Sequence, residues 1–332
     1  MPEFRQDWAT KEWVIIATER AKRPEDFVKS TEVRKPLPPH EPSCPFCPGN
    51  EGKTPPAVFT LEEDGRWALR VVPNKFAALQ SHLTTQRQKA GKFLKVDGFG
   101  LAEVLIETPL HNVSPALMKP EEVERMLIGY RSRYQTIAGN DKICLITIFR
   151  NHGSKAGTSL EHPHSQIIAT PIVPPHVRDQ ITQAILSCDT YGRCIYCDII
   201  TEELRQQERI IAETDFFVLM APFASRHPFE LRLYPKRHCC SFGKITDREI
   251  MDMAAVLKQA LYKLYAGLDN PDYNYIIRSS PTDDEDVKHF HWYLEIVPKL
   301  TTPAGFELGT GIFINVALPE NCARFLKEIP VS

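Results

Sequence analysis

Five consecutive residues, His162-Pro163-His164-Ser165-Gln166, concentrate the chemistry open to this chain of 332 residues. In an extended segment, side-chain alternation puts His162, His164 and Gln166 on one face, with Pro163 opposite and stiffening the backbone between the two histidines. An imidazole is substantially neutral near pH 7, and one with a free ring nitrogen attacks phosphorus to give a labile phosphoramidate. The Gln166 amide, two residues on, can donate to a non-bridging phosphate oxygen. Upstream, Asn151-His152-Gly153-Ser154-Lys155-Ala156-Gly157-Thr158-Ser159 mixes two glycines with small hydroxyl residues and a lysine. Such a loop brings backbone N–H groups close to phosphate. The competing reading of His164 is a further metal ligand or a hydrogen-bonded core histidine.

Metal ligation is the second chemistry. Cys44-Pro45-Phe46-Cys47 and Cys194-Ile195-Tyr196-Cys197 each present two thiols on one tight turn. Tetrahedral zinc takes four Cys or His ligands, so Cys44, Cys47, His111 and His162 make one candidate set, and Cys194, Cys197, His238 and His291 a second. A lone Cys-x-x-Cys pair could equally be buried or redox-active, but two pairs, each followed by two similarly spaced histidines, favour metal. Spacing assigns the cysteines more firmly than the histidines. Cys144, Cys188, Cys239, Cys240 and Cys322 have no ligand spacing and read as packing thiols.

These residues must be positioned by elements, and the elements repeat. In the first half, Trp13 to Ala17, Trp67 to Val72 and Val104 to Glu107 read as strands, rich in β-branched and aromatic residues. Pro120 to Ile137 reads as a helix, with Pro in the first turn and Val123, Met126, Leu127 and Tyr130 at helical spacing. Ile143 to Phe149 and Gln166 to Ile172 are of strand length. The second half replays this order. Phe216 to Met220 and Glu230 to Tyr234 are strands, Thr246-Asp247-Arg248-Glu249 is a capping box for a helix to about Leu264, and Tyr273 to Arg278 and His291 to Val297 are strands again.

From His111 to His162 is 51 residues and from His238 to His291 is 53, as expected of a duplication. The expected fold is α+β, two similar halves with mostly antiparallel sheet and packed helices, divided as 1–177 and 178–332. Aligning His162 with His291 sets Tyr293 opposite His164 and Glu295 opposite Gln166. The second half thus keeps the metal residues and lacks the nucleophile.

The formal charge of −2 argues against a polyanion binder. No 18-residue apolar run suggests a membrane span, and the N-terminus lacks the basic and apolar regions of a secretory signal. Nine cysteines without export read as thiols of a reducing compartment, so the expected location is the cytoplasm.

These motifs resemble the galactose-1-phosphate uridylyltransferase family of the histidine triad superfamily. The resemblance runs over nearly the whole chain, through Arg20-Ala21-Lys22-Arg23-Pro24, the first Cys pair, Asn74-Lys75-Phe76-Ala77-Ala78-Leu79, the Asn151 to Gln166 stretch and Gly305-Phe306-Glu307. It implies histidine-triad-like halves and a ping-pong transfer in galactose metabolism. A nucleotide sugar leaves its nucleotide on a histidine, and a second hexose 1-phosphate takes it up. It further implies His164 as nucleophile, Gln166 and Ser159 on phosphate oxygens, and Asn151 and Gly157 in the supporting loop. Phe46, Asn74 and Phe76 would line a nucleoside pocket. Phe306 and Glu307 would reach the hexose, in the neighbouring subunit of a homodimer, and Arg20 and Arg23 would meet phosphate. Two complete Cys/His sets resemble a two-zinc branch, with two zinc ions per chain, some of whose members transfer adenylyl groups.

Two departures from the family pattern bear on this. Lys75 stands where uridylyltransferases commonly carry Asp. Tyr293 and Glu295 stand where some members place a His-x-His pair for an iron-type site. The leading expectation is UDP-glucose:galactose-1-phosphate uridylyl transfer; the alternatives are an adenylyltransferase or phosphorylase on an ADP-sugar or dinucleotide, and a non-catalytic zinc-stabilised binding module.

Overall fold

Strands buried on one or on both faces make one ten-stranded antiparallel sheet, and two long amphipathic helices cover one side of it. The computed structural model describes residues 1–17, 26–27, 36–284 and 286–331. In chain order, β1 (Glu3–Gln6) and β2 (Trp13–Ile16) are followed by the hairpin β3 (Phe59–Glu63) and β4 (Arg66–Pro73). A small hairpin, β5 (Gln88–Ala90) and β6 (Phe93–Lys95), precedes β7 (Leu101–Ile106), α1 (Pro120–Ala138), β8 (Leu145–His152) and β9 (His164–Thr170). Helices α2 (Pro175–Tyr191) and α3 (Ile195–Gln206) lead to β10 (Ile210–Glu213), β11 (Phe217–Met220), β12 (Leu231–Pro235), α4 (Asp247–Gly267), β13 (Tyr273–Arg278) and β14 (Tyr293–Pro298). The chain closes with α5 (Gly305–Thr310), β15 (Phe313–Asn315) and α6 (Pro319–Glu328).

The sheet order is β10-β11-β12-β14-β13-β8-β9-β7-β4-β3. Read outward from the central β13–β8 pair, the two sides match: last-but-one strand, last strand, middle strand, then a hairpin. The antiparallel seam pairs Tyr273 with His152 and Ile277 with Ile148. The α+β fold and its duplication are therefore as the motifs imply, and both halves share one continuous sheet.

Helix α1 starts at Pro120, where the missing N–H costs nothing, and the Glu122 carboxylate accepts from the Lys119 N–H at 2.8 Å. Helix α4 starts on the expected capping box: Thr246 N donates to Glu249 Oε2 at 2.8 Å, and Glu249 N to Thr246 Oγ1 at 3.3 Å. The two helices pack together over the main core, which takes Leu105, Ile148, Ile167 and Ala169 from one half and Leu233, Tyr275, Ile277 and Leu294 from the other.

The opposite sheet face carries two smaller clusters, one per half. Cys44, Phe46, Cys47, Val72, Val104 and Ile106 form the first; Cys194, Tyr196, Val218, Met220, Tyr234 and Tyr293 belong to the second. The short sheet β1-β2-β15 brings Ala9 into the second cluster, and Asp7 pairs with Arg232 at 2.8 Å. Two boundaries differ from expectation with consequence. The strand expected from Gln166 begins at His164, and the one expected to end at Phe149 runs on to His152, so both deliver the chemical residues at strand ends. The division at 177 and 178 falls within the first turn of α2.

Candidate active site and metal centres

The Cys44 to Cys47 turn is held by its own backbone and by N–H groups aimed at sulfur. Phe46 N points to Cys44 Sγ at 3.4 Å and Glu41 N to Cys47 Sγ at 3.3 Å. Cys44, Cys47, His111 and His162 are all buried, and their ligand atoms lie within 4.8 Å of one another. Cys47 Sγ is 3.5 Å from His111 Nδ1 and 3.6 Å from His162 Nδ1. With the usual zinc–sulfur and zinc–nitrogen bond lengths, a tetrahedron has an S···N edge of about 3.5 Å, so these four residues fit zinc. Cys194, Cys197, His238 and His291 form the second such group, with Cys197 Sγ 3.3 Å from His238 Nδ1 and 3.6 Å from His291 Nδ1.

The outer hydrogen bonds support the fit. His162 Nε2 meets the Thr108 carbonyl at 2.9 Å, His291 Nε2 the Pro235 carbonyl at 2.8 Å and His238 Nε2 the Val287 carbonyl at 3.3 Å. Each of these rings thereby donates from Nε2 and keeps Nδ1 for a metal. Burial pushes His162 down to about 4, which holds it in the neutral, ligating form.

His164 has the reverse arrangement. Its Nδ1 lies 2.8 Å from the His162 carbonyl oxygen, so the ring proton sits on Nδ1 and Nε2 keeps its lone pair. Burial lowers the His164 pKa below its ordinary value and favours the neutral ring. The Phe46 ring meets His164 edge-on at 5.5 Å and His162 at 6.0 Å, so both imidazoles lie against the first cluster. His162, one of the four residues that fit zinc, supplies the carbonyl that sets the tautomer of the neighbouring imidazole.

The loop before His164 is fixed from the other half of the chain. Asn274 Nδ2 donates to Asn151 Oδ1 at 2.8 Å and to the Ala156 carbonyl at 2.9 Å, and Asp272 Oδ2 accepts from Lys155 N at 2.6 Å. Gly153 has φ +85°, and a Cβ there would stand 2.2 Å from the Asp272 carboxylate, so the position requires glycine. Gly157 has φ +88° and closes the turn. Asn151, Ser159 and His164 border a cleft of about 820 Å³ that the second half also lines, through Tyr265, Asp272 and Lys299.

Other expected residues are placed differently. Gln166 is half-buried on β9, two residues along the same face as His164 and paired across the ladder with Phe149. Asn74 caps its own turn, with Oδ1 accepting from Phe76 N at 2.9 Å, and the Phe76 ring is 87% exposed. Phe306 and Glu307 sit on α5 outside the cleft lining; Phe306 is half exposed and Glu307 accepts from Ala304 N at 3.0 Å. This chain alone does not bring Phe76, Phe306 or Glu307 to His164. Arg20 and Arg23 lie outside the described residues.

Sequence reading missed Glu107 and Arg150, a buried pair with Arg150 Nε 3.0 and 3.1 Å from the two carboxylate oxygens. The Glu107 carboxylate also takes the Ser165 hydroxyl, which in turn meets Tyr130, and Tyr130 lies 2.5 Å from the Tyr275 hydroxyl. A charge at the end of each of two apolar strands was the only available signal.

In the second half, the Tyr293 ring packs at a tilt against Tyr196 and Tyr234, and the Glu295 carboxylate holds Arg226 at 3.0 Å and Arg278 at 2.8 Å. Burial pushes Glu295 up, but Arg278, Arg226 and Arg232 outweigh it and hold the carboxyl well below its ordinary value. Ion pairs and tyrosines occupy the place that the histidine and the cleft hold in the first half.

Known proteins resemble the chain throughout. The family described as galactose-1-phosphate uridyl transferase, N-terminal domain, matches residues 1–174, and a domain of unknown function, DUF4921, matches residues 112–329. An ADP-glucose phosphorylase of Arabidopsis thaliana is 38% identical over 100% of this chain and 94% of that protein. A galactose-1-phosphate uridylyltransferase of Thermotoga maritima is 30% identical over 100% of this chain and 99% of its own length. The crystal structure of an ADP-glucose phosphorylase from Arabidopsis thaliana with bound ADP-glucose covers both chains fully at 35% identity, with a TM-score of 0.86.

Proposed function

The chain belongs to the galactose-1-phosphate uridyl transferase family and is a nucleotidyltransferase acting on sugar phosphates, and from this premise we propose that it works through a nucleotidyl-His164 intermediate with an ADP-sugar as donor. The observation that carries the intermediate is the His164 tautomer: Nδ1–H is spent on the His162 carbonyl at 2.8 Å, so Nε2 is the nucleophilic atom. Nε2 bonds to the α-phosphorus as the bond to the bridging oxygen breaks, and the hexose 1-phosphate departs with that electron pair. A phosphate oxygen of the acceptor then attacks, and the pair of the P–N bond returns to Nε2. Gln166 and Ser159 donate to the non-bridging oxygens, and Asn151 and Gly157 shape the loop around them.

The adenylyl assignment is supported by the 38% identity to the ADP-glucose phosphorylase and by the departure at Lys75. By that relationship inorganic phosphate is the preferred acceptor. A second reading, uridylyl transfer between UDP-glucose and galactose 1-phosphate, is supported by the full-length likeness to the Thermotoga maritima uridylyltransferase. Zinc, where bound, supplies structural rigidity. Cys44, Cys47, His111 and His162 would hold one ion beneath the nucleophile, and Cys194, Cys197, His238 and His291 the other.

Incubation with ADP-glucose, UDP-glucose or ATP alone, followed by intact mass measurement, separates the readings. An AMP adduct from ADP-glucose is expected. A UMP adduct as the faster product would replace the adenylyl reading with the uridylyl one, and wild-type protein that gains no mass from any donor would overturn the covalent mechanism.

A further inference from the structure

We propose that Arg150 binds the phosphate on the far side of the scissile bond, the group that leaves with the sugar in the first half-reaction and attacks in the second. The proposal rests on the nucleotidyl-His164 reading above.

Arg150 projects on the main-core face of β8, like Ile148, and borders the cleft that His164 enters from the other face where the strands end, although the residue is only 3% exposed. Its hydrogen bonds are unevenly spent. Nε serves both oxygens of Glu107 at 3.0 and 3.1 Å, and Nη1 reaches the Tyr273 hydroxyl at a long 3.4 Å. Among the described residues Nη2 has no acceptor, and it is not sealed from solvent, so the small exposed part of this guanidinium is turned to the cleft that the residue lines. Taking a guanidinium out of water is costly, and a buried one with an unspent nitrogen toward a cleft is aimed at an anion.

The side of the cleft identifies which anion. Phe46 lies edge-on against His164 and clusters with Val72 and Val104, and none of the three lines the cleft. A nucleoside resting on that apolar cluster leaves its α-phosphorus at Nε2 and its leaving group in the cleft, where Arg150 stands. Lys299, also in the lining, is half-buried, whereas the Lys155 side chain is exposed. Among the described residues Arg150 is thus the best-fixed cation of that wall. Glu107 aligns it from below, and Glu107 is itself anchored by its N–H to the Pro163 carbonyl at 3.1 Å and by Ser165. When the bond to the bridging oxygen breaks, negative charge collects on the departing phosphate, where a fixed guanidinium stabilises it most. The same contact orients an incoming phosphate, free or sugar-borne, for attack on the adduct.

The test compares two donors whose leaving groups differ. A nucleoside diphosphate sugar expels a phosphate, whereas a nucleoside 5′-phosphorimidazolide delivers the same nucleotidyl group and expels imidazole, which carries no phosphate. Adduct formation on His164 is followed by rapid-quench intact mass. In the double variant Arg150→Gln/Glu107→Gln, which leaves no buried charge unpaired, the sugar donor should slow roughly 100-fold more than the imidazolide. Arg150→Lys keeps a charge opposite Glu107 and guards against a folding failure; it should keep its zinc and still show a discrimination of about 10-fold. The KM for inorganic phosphate in discharging the adduct should rise in both variants. Equal slowing of the two donors would make Arg150 a structural residue and overturn the proposal, as would no slowing of either. Wild-type protein that takes the imidazolide but no nucleotide sugar would instead overturn the donor assignment of the preceding section.

Discussion

His164 and Glu295 show what a buried side chain becomes when its neighbours choose its protonation state. At His164 a backbone carbonyl 2.8 Å from Nδ1 fixes the tautomer. His164→Gln should therefore lower turnover by roughly 10⁴-fold or more, abolish the nucleotide adduct and leave the zinc content and melting temperature near wild type. Loss of zinc in that variant would reveal the ring as a ligand instead. Glu295, at the equivalent of Gln166, is an ion-pair hub with Arg226 and Arg278. Its folded pKa lies below the ordinary 4.5, so in acid the unfolded chain binds the proton first. The stability it contributes is complete above about pH 4.5 and is lost as pH falls toward the depressed folded value. Glu295→Gln should cost about 3 to 5 kcal/mol at neutral pH by leaving Arg278 without its carboxylate and Arg226 with only the more distant Glu12 at 3.7 Å. Thermal melts between about pH 7 and 3 should show that gap narrowing only below about pH 4.5. A gap that is constant with pH would remove Glu295 from the charge network.

The two Cys/His sets have different neighbours because of the elements beneath them. In the first, His162 is two residues from His164, the proposed nucleophile, and offers it a carbonyl; in the second, the equivalent strand carries Tyr293 into an aromatic cluster. Cys47→Ser should lose one zinc per chain and nearly all adduct formation. Cys197→Ser should also lose one zinc, lower the melting temperature by several degrees and spare adduct formation well below the melt. Metal analysis beside the mass assay checks both, and an inactive Cys197→Ser protein melting like wild type would contradict the division of labour. These sets were legible because Cys-x-x-Cys turns and evenly spaced histidines are local signals. The helices were legible too, through Pro120 and the Thr246/Glu249 box. Strands β3 and β10 were not. Both are sheet edges, and Thr60, Glu62 and Glu63 of β3 face solvent, so the alternation that marks an inner strand is weak there. The Glu107–Arg150 pair and the Asn274 bonds to the 151–156 loop join residues 43 and more than 100 positions apart, distances over which sequence spacing carries no information.

The whole molecule joins two copies of one unit through β8 and β13, and across this seam the second half completes the loop and cleft around His164. Asn274 and Asp272 hold the loop that precedes His164, and Tyr265 and Lys299 complete its cleft. Helix α1 packs on α4 across the same boundary, burying Tyr130 against Tyr275. A fragment of residues 1–177 would expose the whole β8 edge and the apolar face of α1, an arrangement that favours aggregation over folding. We predict that the fragment alone is insoluble or unfolded and inactive. Co-expression with residues 178–332 should restore a soluble complex that forms the His164 adduct, because the missing strand and loop contacts are non-covalent. Asn274→Ala in the intact chain gives the milder version: it frees Asn151 and the Ala156 carbonyl, and should slow adduct formation by about 10-fold or more while costing about 1 kcal/mol of stability. Should 1–177 fold alone and form the adduct at the wild-type rate, the second half would have no part in positioning the nucleophile, and the pairing of β8 with β13 would matter to stability alone.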